Sequence, residues 1–233
     1  MHGAVVHRPT GPWTPAVHDL LAHLWIAGLD GVPRVIGFDA DGREVLTYLA
    51  GDSVAVDTEA ASDEALSGAV RWLRRYHDSV RSYDPGIRTW RQTTAAPAPG
   101  ELICHNDPGA YNWIVDGGRF VGMIDWDQAG PGLPLDDLAF LCWSGVPLFR
   151  EAPPADAARR VALAAEAYGG VAPEALLDAV ADRMQRASDR IAAGIERGDP
   201  GMLSLRAVGE PARTRQRVDA FTARLPALRA ALG

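Results

Sequence analysis

Residues 103–126 read Ile-Cys-His-Asn-Asp-Pro-Gly-Ala-Tyr-Asn-Trp-Ile-Val-Asp-Gly-Gly-Arg-Phe-Val-Gly-Met-Ile-Asp-Trp, the stretch of the chain richest in groups that do chemistry. His105, Asp107 and Asn112 stand in the spacing His-x-Asp-x-x-x-x-Asn, and a second carboxylate, Asp125, follows thirteen residues after Asn112. A carboxylate close to an amide, with a second carboxylate brought back to them, suits phosphoryl transfer. Asp107 would accept a proton from an attacking hydroxyl, while Asn112 and Asp125 would offer hard oxygens to Mg²⁺ on nucleotide phosphates. The plainer alternative is that Asp107 and Asn112 cap turns and Asp125 merely ends a strand.

The flanking pattern favours the first account. Residues 102–104, 113–115 and 120–124 are apolar runs of strand type, and Asp116-Gly117-Gly118 between the last two is a tight-turn signal. A hairpin there returns Asp125 to the side of Asn112.

These residues resemble the catalytic segment of the aminoglycoside phosphotransferase family, relatives of the eukaryotic-type protein kinases. The resemblance rests on the His-x-Asp-x-x-x-x-Asn loop, on Ile124-Asp125-Trp126, and on Gly132-Leu133-Pro134-Leu135-Asp136-Asp137-Leu138-Ala139. It is dense over residues 102–141 and looser over 5–80. It implies that Asp107 is the catalytic base and that Asn112 and Asp125 hold the metal. It further implies that His105 braces the loop, and that Asp137 and Trp126 support the site. ATP or GTP with Mg²⁺ would be the cofactors. The implied fold is α+β and two-lobed, with a shortened N-lobe over residues 1–52 and a mainly helical C-lobe over 53–233 that carries the catalytic loop at 103–126. Gly51-Asp52-Ser53 resembles the hinge between lobes, where backbone groups hold the base.

One departure concerns the phosphate-binding lysine of kinase-like enzymes. The chain contains no lysine, and all 23 basic residues are arginine. Strand signals at 4–8, 34–38 and 44–49 and a helical period over 16–27 order the first lobe as strand, helix, two strands. Thr14 is the expected helix cap, with Pro15 at the first turn. In this order Arg8 or His7 falls near the lysine position, and His18 near its helix partner. An arginine meets phosphate with a planar fork rather than a point charge; a solvated strand end is the alternative. The chain also begins a few residues before its first strand signal. By comparison with a kinase-like lobe, roughly two strands with the glycine-rich hairpin are expected to be missing, and a truncated or wrongly assigned start, an open nucleotide site, or ligand binding without efficient transfer would each account for that.

Downstream, Leu66, Val70, Leu73 and His77 mark a helix over 59–80, with His77 expected in the core. Residues 83–100 read as a loop, 135–143 as a helix with Asp136 and Asp137 in its first turn, and 155–168, 173–197 and 212–232 as three more helices. Asp178, Asp182, Asp189 and Glu196 on these helices are candidate acceptor contacts, exposed helix charge being the alternative. Asp127 reads as a solvated loop residue.

Composition agrees with a globular enzyme: 233 residues, 47% hydrophobic and 23% charged. The net charge of -7 excludes a basic nucleic-acid footprint and suits a small hydroxylated substrate of cationic character. Neither a signal-peptide core nor a membrane-length apolar run is present, so a cytoplasmic location is expected. Cys104 and Cys142 lie in apolar runs and read as buried thiols. Nothing in the sequence sets an oligomeric state. A small-molecule O-phosphotransferase is the expectation. A non-catalytic nucleotide-binding module and a metal-dependent hydrolase are the rivals.

Overall fold

The computed structural model describes residues 4–57 and 59–233. The chain opens with β1 (Val5–Arg8), α1 (Thr14–Ile26), β2 (Val35–Phe38) and β3 (Glu44–Thr47). β3 is the centre of an antiparallel sheet in the order β1-β3-β2. Its register sets Val5 opposite Thr47 and Arg8 opposite Glu44. Successive strand residues face opposite ways. Val6 and Arg8 therefore point one way, while His7 points the other and meets Asp39 at 2.7 Å. α1 covers the sheet region with Ala16, Val17, Leu20, Leu21 and Leu24 buried. Thr14 is not its cap, as the sequence suggests. It is the first helical residue, and its hydroxyl accepts from the Gly11 N–H at 2.9 Å. The Pro-rich turn before α1 places that hydroxyl beneath the preceding loop rather than over the helix end.

β4 (Asp52–Ser53) carries the chain out of this sheet and pairs with a strand of the catalytic segment, Asp52 opposite Val115. The expected lobe boundary at 52/53 thus falls inside a strand. α2 (Asp63–Ser79) follows, starting four residues later than the periodicity suggests, because Ser62 caps it by accepting from the Ala65 N–H at 3.0 Å. The expected loop at 83–100 holds two short strands, β5 (Arg88–Thr89) and β6 (Thr94–Ala95), with Trp90 buried.

β7 (Leu102–Cys104) leads into the loop bearing Asp107. β8 (Trp113–Asp116) and β9 (Arg119–Met123) then form the expected hairpin. Its two turn residues are Gly117 (φ 55°) and Gly118 (φ 81°), the left-handed pair that a two-residue hairpin turn demands. β10 (Gly130–Gly132) pairs back on β7. The rest is helical: α3 (Pro134–Gly145), α4 (Pro154–Tyr168), α5 (Pro173–Glu196), α6 (Pro200–Ala207) and α7 (Ala212–Ala230). One hydrophobic core runs from α1 through α2 and α3 to Leu228 of α7. Among the described residues, no helix is long and apolar enough to cross a membrane.

Gly51 is one of the places where the two parts meet closely. It has φ 133°, and a Cβ there would lie 2.6 Å from the Val115 carbonyl oxygen. Gly28 has φ 75° but open space around it. Gly51→Ala is expected to cost about 2–3 kcal/mol, from backbone strain plus collision, and Gly28→Ala about 1 kcal/mol, from strain alone. Denaturant midpoints of the two variants check the difference; equal losses would show that the approach of the two segments is not constrained at Gly51.

Candidate active site

Asp137 enters α3 at its first turn and is fully buried. Its Oδ2 accepts from the backbone N–H of His105 at 2.8 Å, and its Oδ1 from that of Asn106 at 2.7 Å. The Nε2–H of His77 donates to Oδ2 at 3.1 Å, and His77 Nδ1 meets the Tyr168 hydroxyl at 2.7 Å. Burial alone would raise the carboxyl pKa, but His77, His105 and the backbone N–H groups hold it below its ordinary value. His77 is thus in the core, as expected, but bonded to the group that fixes the loop. Cys104 also lies beside His77 and Asp137. Burial pushes its thiol pKa well up, and both Asp137 oxygens are already taken, so this trio closes on itself instead of opening to a metal.

His105 is fully buried and spans the site. The Asp107 N–H donates to its Nδ1 at 3.3 Å, which leaves the ring proton on Nε2 to donate to the Ile124 carbonyl at 3.2 Å. Burial lowers its pKa and keeps the ring neutral. The ring of Trp126 packs on it with centroids 4.6 Å apart. His105 therefore ties the loop to the strand end that carries Asp125. The Ile124 N–H donates to the Asn112 carbonyl at 2.9 Å, so the hairpin delivers Asp125 beside Asn112. Asn106 (φ 63°) and Asp125 (φ 60°) both occupy the left-handed region, uncommon for residues other than glycine.

Asp107 is partly exposed, yet protein atoms surround most of its carboxylate. Burial pushes its pKa up to about 7, against the hydrogen bond from the Tyr111 hydroxyl; the nearby Asp125 raises it further. Asn112 Nδ2 donates to the Asp107 carbonyl oxygen at 2.9 Å and to Oδ2 at 3.2 Å. With the amide nitrogen so engaged, Asn112 presents Oδ1 outward. Asp125 bonds Arg8 through Oδ1, and no bond to its Oδ2 occurs among the described residues. Two hard oxygens are thereby left for a divalent cation, the donor type Mg²⁺ or Ca²⁺ takes.

Arg8 Nη2 lies 2.7 Å from Asp125 and 3.2 Å from Asp127, and Nη1 lies 3.6 Å from Glu44. Burial pulls its pKa down, but the three carboxylates together hold it above its ordinary value. Arg8 is therefore no solvated strand end. Arg8 and His18 are not bonded to one another. The buried Glu44 stands between them, 2.8 Å from His18 Nε2. Asp127 is likewise not solvated: it faces Arg8 and Arg91, and burial raises its pKa. Arg91 comes from the 83–100 segment, stacks over Trp13 at 4.3 Å and reaches Asp199 at 3.1 Å.

A cleft of about 280 Å³ opens beside these groups. Val6, Leu46, Leu49, Ile114 and Ile124 make apolar walls, and Arg8, Asn112 and Asp125 stand at one end. Thr47, Tyr48 and Leu49 line it where the chain leaves β3, whereas Gly51 and Asp52 do not: Gly51 packs against the Val115 carbonyl and Asp52 pairs with Val115 of β8. Of Asp178, Asp182, Asp189 and Glu196, none lines a cavity beside Asp107. Asp178 pairs with Arg229, and Asp189 accepts from Gln185. Sequence reasoning missed Glu44, Tyr111, Arg183 and Arg190. Arg183 had a signal, since it sits within the apolar stripe Leu176, Leu177, Val180, Met184 of α5.

This fold defines a protein-kinase-like scaffold. Residues 84–177 match the model of the phosphotransferase enzyme family. The matched segment takes in the catalytic-type loop and hairpin and is similar to that family, and the whole chain has the kinase-like fold. It is similar to an amicoumacin kinase solved with AMP-PNP and Ca²⁺ (TM-score 0.60, 12% identity, 95% of this chain and 80% of that one). It is also similar to an aminoglycoside phosphotransferase from Alicyclobacillus acidocaldarius (TM-score 0.58, 15% identity, 98% and 86%). In sequence it is 36% identical over 166 residues to a trifolitoxin immunity protein from Rhizobium leguminosarum bv. trifolii. The alignment takes in 69% of this chain and 61% of that relative's length.

Asp137→Asn is expected to destabilise the protein by about 3 kcal/mol at pH 7, since it removes a buried charge from three donors. A depressed carboxyl pKa stabilises the fold above the ordinary value near 3.8 and ceases to do so as pH falls through the folded value. The gap between wild type and variant should therefore close on acidification below about pH 4. Urea unfolding at pH 7, 5 and 3 measures it; a gap independent of pH would mean that the charge is not what the loop needs.

Proposed function

We propose that the chain is a small-molecule O-phosphotransferase that moves the γ-phosphoryl group of ATP or GTP to an acceptor hydroxyl. The observation that supports it best is that Asn112 and Asp125 stand at the charged end of an apolar cleft while Asn112 is bonded to Asp107, 3.2 Å from its Oδ2. The base and ribose would lie between Val6, Leu46, Ile114 and Ile124, against the backbone of residues 47–49. Arg8 would face the phosphates in the role a lysine ammonium plays elsewhere. Asn112 and Asp125 would hold the divalent cation, which supplies charge neutralisation on the phosphate oxygens. We take residues 1–52 and 53–233 as the two lobes, joined through β4.

The transfer step follows from what each residue can do. The acceptor oxygen forms its bond to the γ-phosphorus as the bond from that phosphorus to the β–γ bridging oxygen breaks, and the nucleoside diphosphate leaves. The acceptor proton passes to Asp107. A carboxylate with a pKa near 7 is better matched to that task at neutral pH than one near 4. His105 and Asp137 keep the loop in place, so that little reorganisation accompanies the reaction. Tyr111 donates to Asp107 Oδ1, where an acceptor hydroxyl must bond, so the acceptor has to replace the phenol. That contact also favours a second reading, a nucleotide-binding module held without transfer.

Asp107→Asn is expected to reduce transfer by at least 10³-fold while leaving the affinity for Mg·AMP-PNP within about twofold. Asp125→Ala should instead weaken Mg·AMP-PNP binding itself, by tenfold or more on the scale of a lost charged ligand. Calorimetric titration and a phosphate-release screen over hydroxylated acceptors distinguish them. Near-normal transfer in Asp107→Asn would remove Asp107 from its role. A wild-type protein that binds nucleotide yet phosphorylates no acceptor would favour the module.

A further inference from the structure

Beside Asp107 lies a second cavity of about 240 Å³. Its wall includes Asp107, Tyr111, Phe140, Arg183, Arg190 and Met202, and it shares no lining residue with the nucleotide cleft. An acceptor must enter here to bring a hydroxyl to Asp107. The charge of this wall is opposite to that of the chain as a whole. Two arginines face one carboxylate, and the carboxylate is the group reserved for the proton.

Neither arginine is fully engaged. Arg183 is 2% exposed. Its Nη2 donates to the Asn106 carbonyl at 2.7 Å, its guanidinium stacks on Phe140 at 4.5 Å, and its Nη1 has no hydrogen-bond partner. A buried donor left unpaired is costly, and a ligand that accepts from it recovers that cost. Arg190 is partly buried and makes no hydrogen bond or ion pair among the described residues. Burial lowers the pKa of both, that of Arg183 to about 10, so both remain charged at neutral pH. They lie seven residues apart on α5, two turns along one face, with Ala187 between them. Two cations facing the same small space repel an incoming ammonium group and attract a carboxylate.

We propose that the acceptor is a hydroxycarboxylic acid, its carboxylate held by Arg190 and the unpartnered Arg183 Nη1 while its hydroxyl replaces the Tyr111 phenol at Asp107. This rests on the phosphotransferase reading for the fate of the hydroxyl but not for the preference in charge. The cavity falls below the roughly 300–1,000 Å³ that drug-sized ligands take, so the acceptor is small. A neighbouring chamber of about 320 Å³ shares Tyr111, Phe140, Ala187, Ile191 and Leu205 with it and adds Trp143 and Phe149. An apolar or aromatic side chain on the acid has room there.

The test uses matched probes on the full chain saturated with Mg·AMP-PNP: phenyllactate against phenylalaninol, and N-acetylserine against ethanolamine. Calorimetry gives affinity, and radiolabelled ATP and GTP give transfer. The acids are expected to bind about tenfold tighter or more than the amino alcohols, and phenyllactate tighter than N-acetylserine. Arg190→Gln should weaken the acids by about tenfold and leave AMP-PNP affinity unchanged, and Arg190→Lys should restore part of the loss. Arg183 is left in place because it also braces the Asn106 carbonyl. Amino alcohols binding as well as the acids, or no acid binding at millimolar concentration, would overturn the proposal. So would an Arg190→Gln variant that loses AMP-PNP affinity instead, since Arg190 would then be a nucleotide phosphate clamp. Preference for the acids without transfer to any probe would keep the anion site and sink the phosphotransferase reading. Transfer to amino alcohols alone would do the reverse.

Discussion

The site depends on one buried carboxylate. Asp137 is fully buried, and a charge in such a place persists only if the protein supplies its partners. Two of those partners are consecutive backbone N–H groups of the loop, His105 and Asn106, and the third is the His77 ring. Accepting from two successive N–H groups fixes the direction of the peptide between them. That orientation requires Asn106 to take a left-handed backbone, and it turns Asp107 toward the cavities. From the same anchor, His105 reaches across to the Ile124 carbonyl and sets the end of β9, where Asp125 stands. The positions of Asp107 and Asp125 thus lead back to a fully buried residue that lines neither cavity.

The first sheet supplies the other half of the site by a different device. Arg8 and Glu44 are direct cross-strand partners, so register alone brings their side chains to one face. Glu44 is buried, and His18 holds its second oxygen. A lysine ammonium is a point charge that slides along a phosphate. An arginine fork has a plane, and at Arg8 that plane serves Glu44 on one nitrogen and Asp125 and Asp127 on the other. The cation is thereby tied to the carboxylate proposed as a metal ligand. In this arrangement the first sheet and the catalytic-type segment are joined by an ion pair across 117 residues of sequence. A nucleotide's phosphates would have to share that pair.

Much of the site was legible because it is local. The loop residues lie within eight positions of each other, the hairpin is announced by Asp116-Gly117-Gly118, and Asp137 sits at a helix start where a carboxylate is at home. Those signals come from turn chemistry and short-range periodicity, which a linear sequence displays directly. What escaped is set by packing between distant segments. Glu44 reads as an ordinary polar strand residue until the register with β1 is known. Asp127 looks like solvated loop until Arg91 arrives from the 83–100 segment, which itself reads as coil because its strands are two residues long. The backbone that lines the cleft is at 47–49, and Asp52 stands outside it because β4 pairs on β8. Thr14 shows the same limit on a smaller scale: its residue type suits a cap, but the Pro-rich turn before it decides where the hydroxyl goes.

Net charge is a weak guide to a binding site for the same reason. A surplus of seven negative charges is spread over a surface where water and salt screen each one within about 10 Å. Inside a half-enclosed cavity only the nearest groups count, and there α5 contributes two arginines while its acidic residues turn outward. That difference follows from the helical period: Arg183, Ala187 and Arg190 share the inward face, whereas Asp178, Asp182 and Asp189 fall on the outer side. The inward arginines hold positive potential beside Asp107, which stabilises its charged form, while burial and Asp125 oppose that charge. Asp107 therefore stands between a cleft whose end is acidic and a cavity whose wall is basic. A group so balanced changes its protonation readily when either neighbour is neutralised, which the proton acceptor of the proposed phosphoryl transfer would have to do.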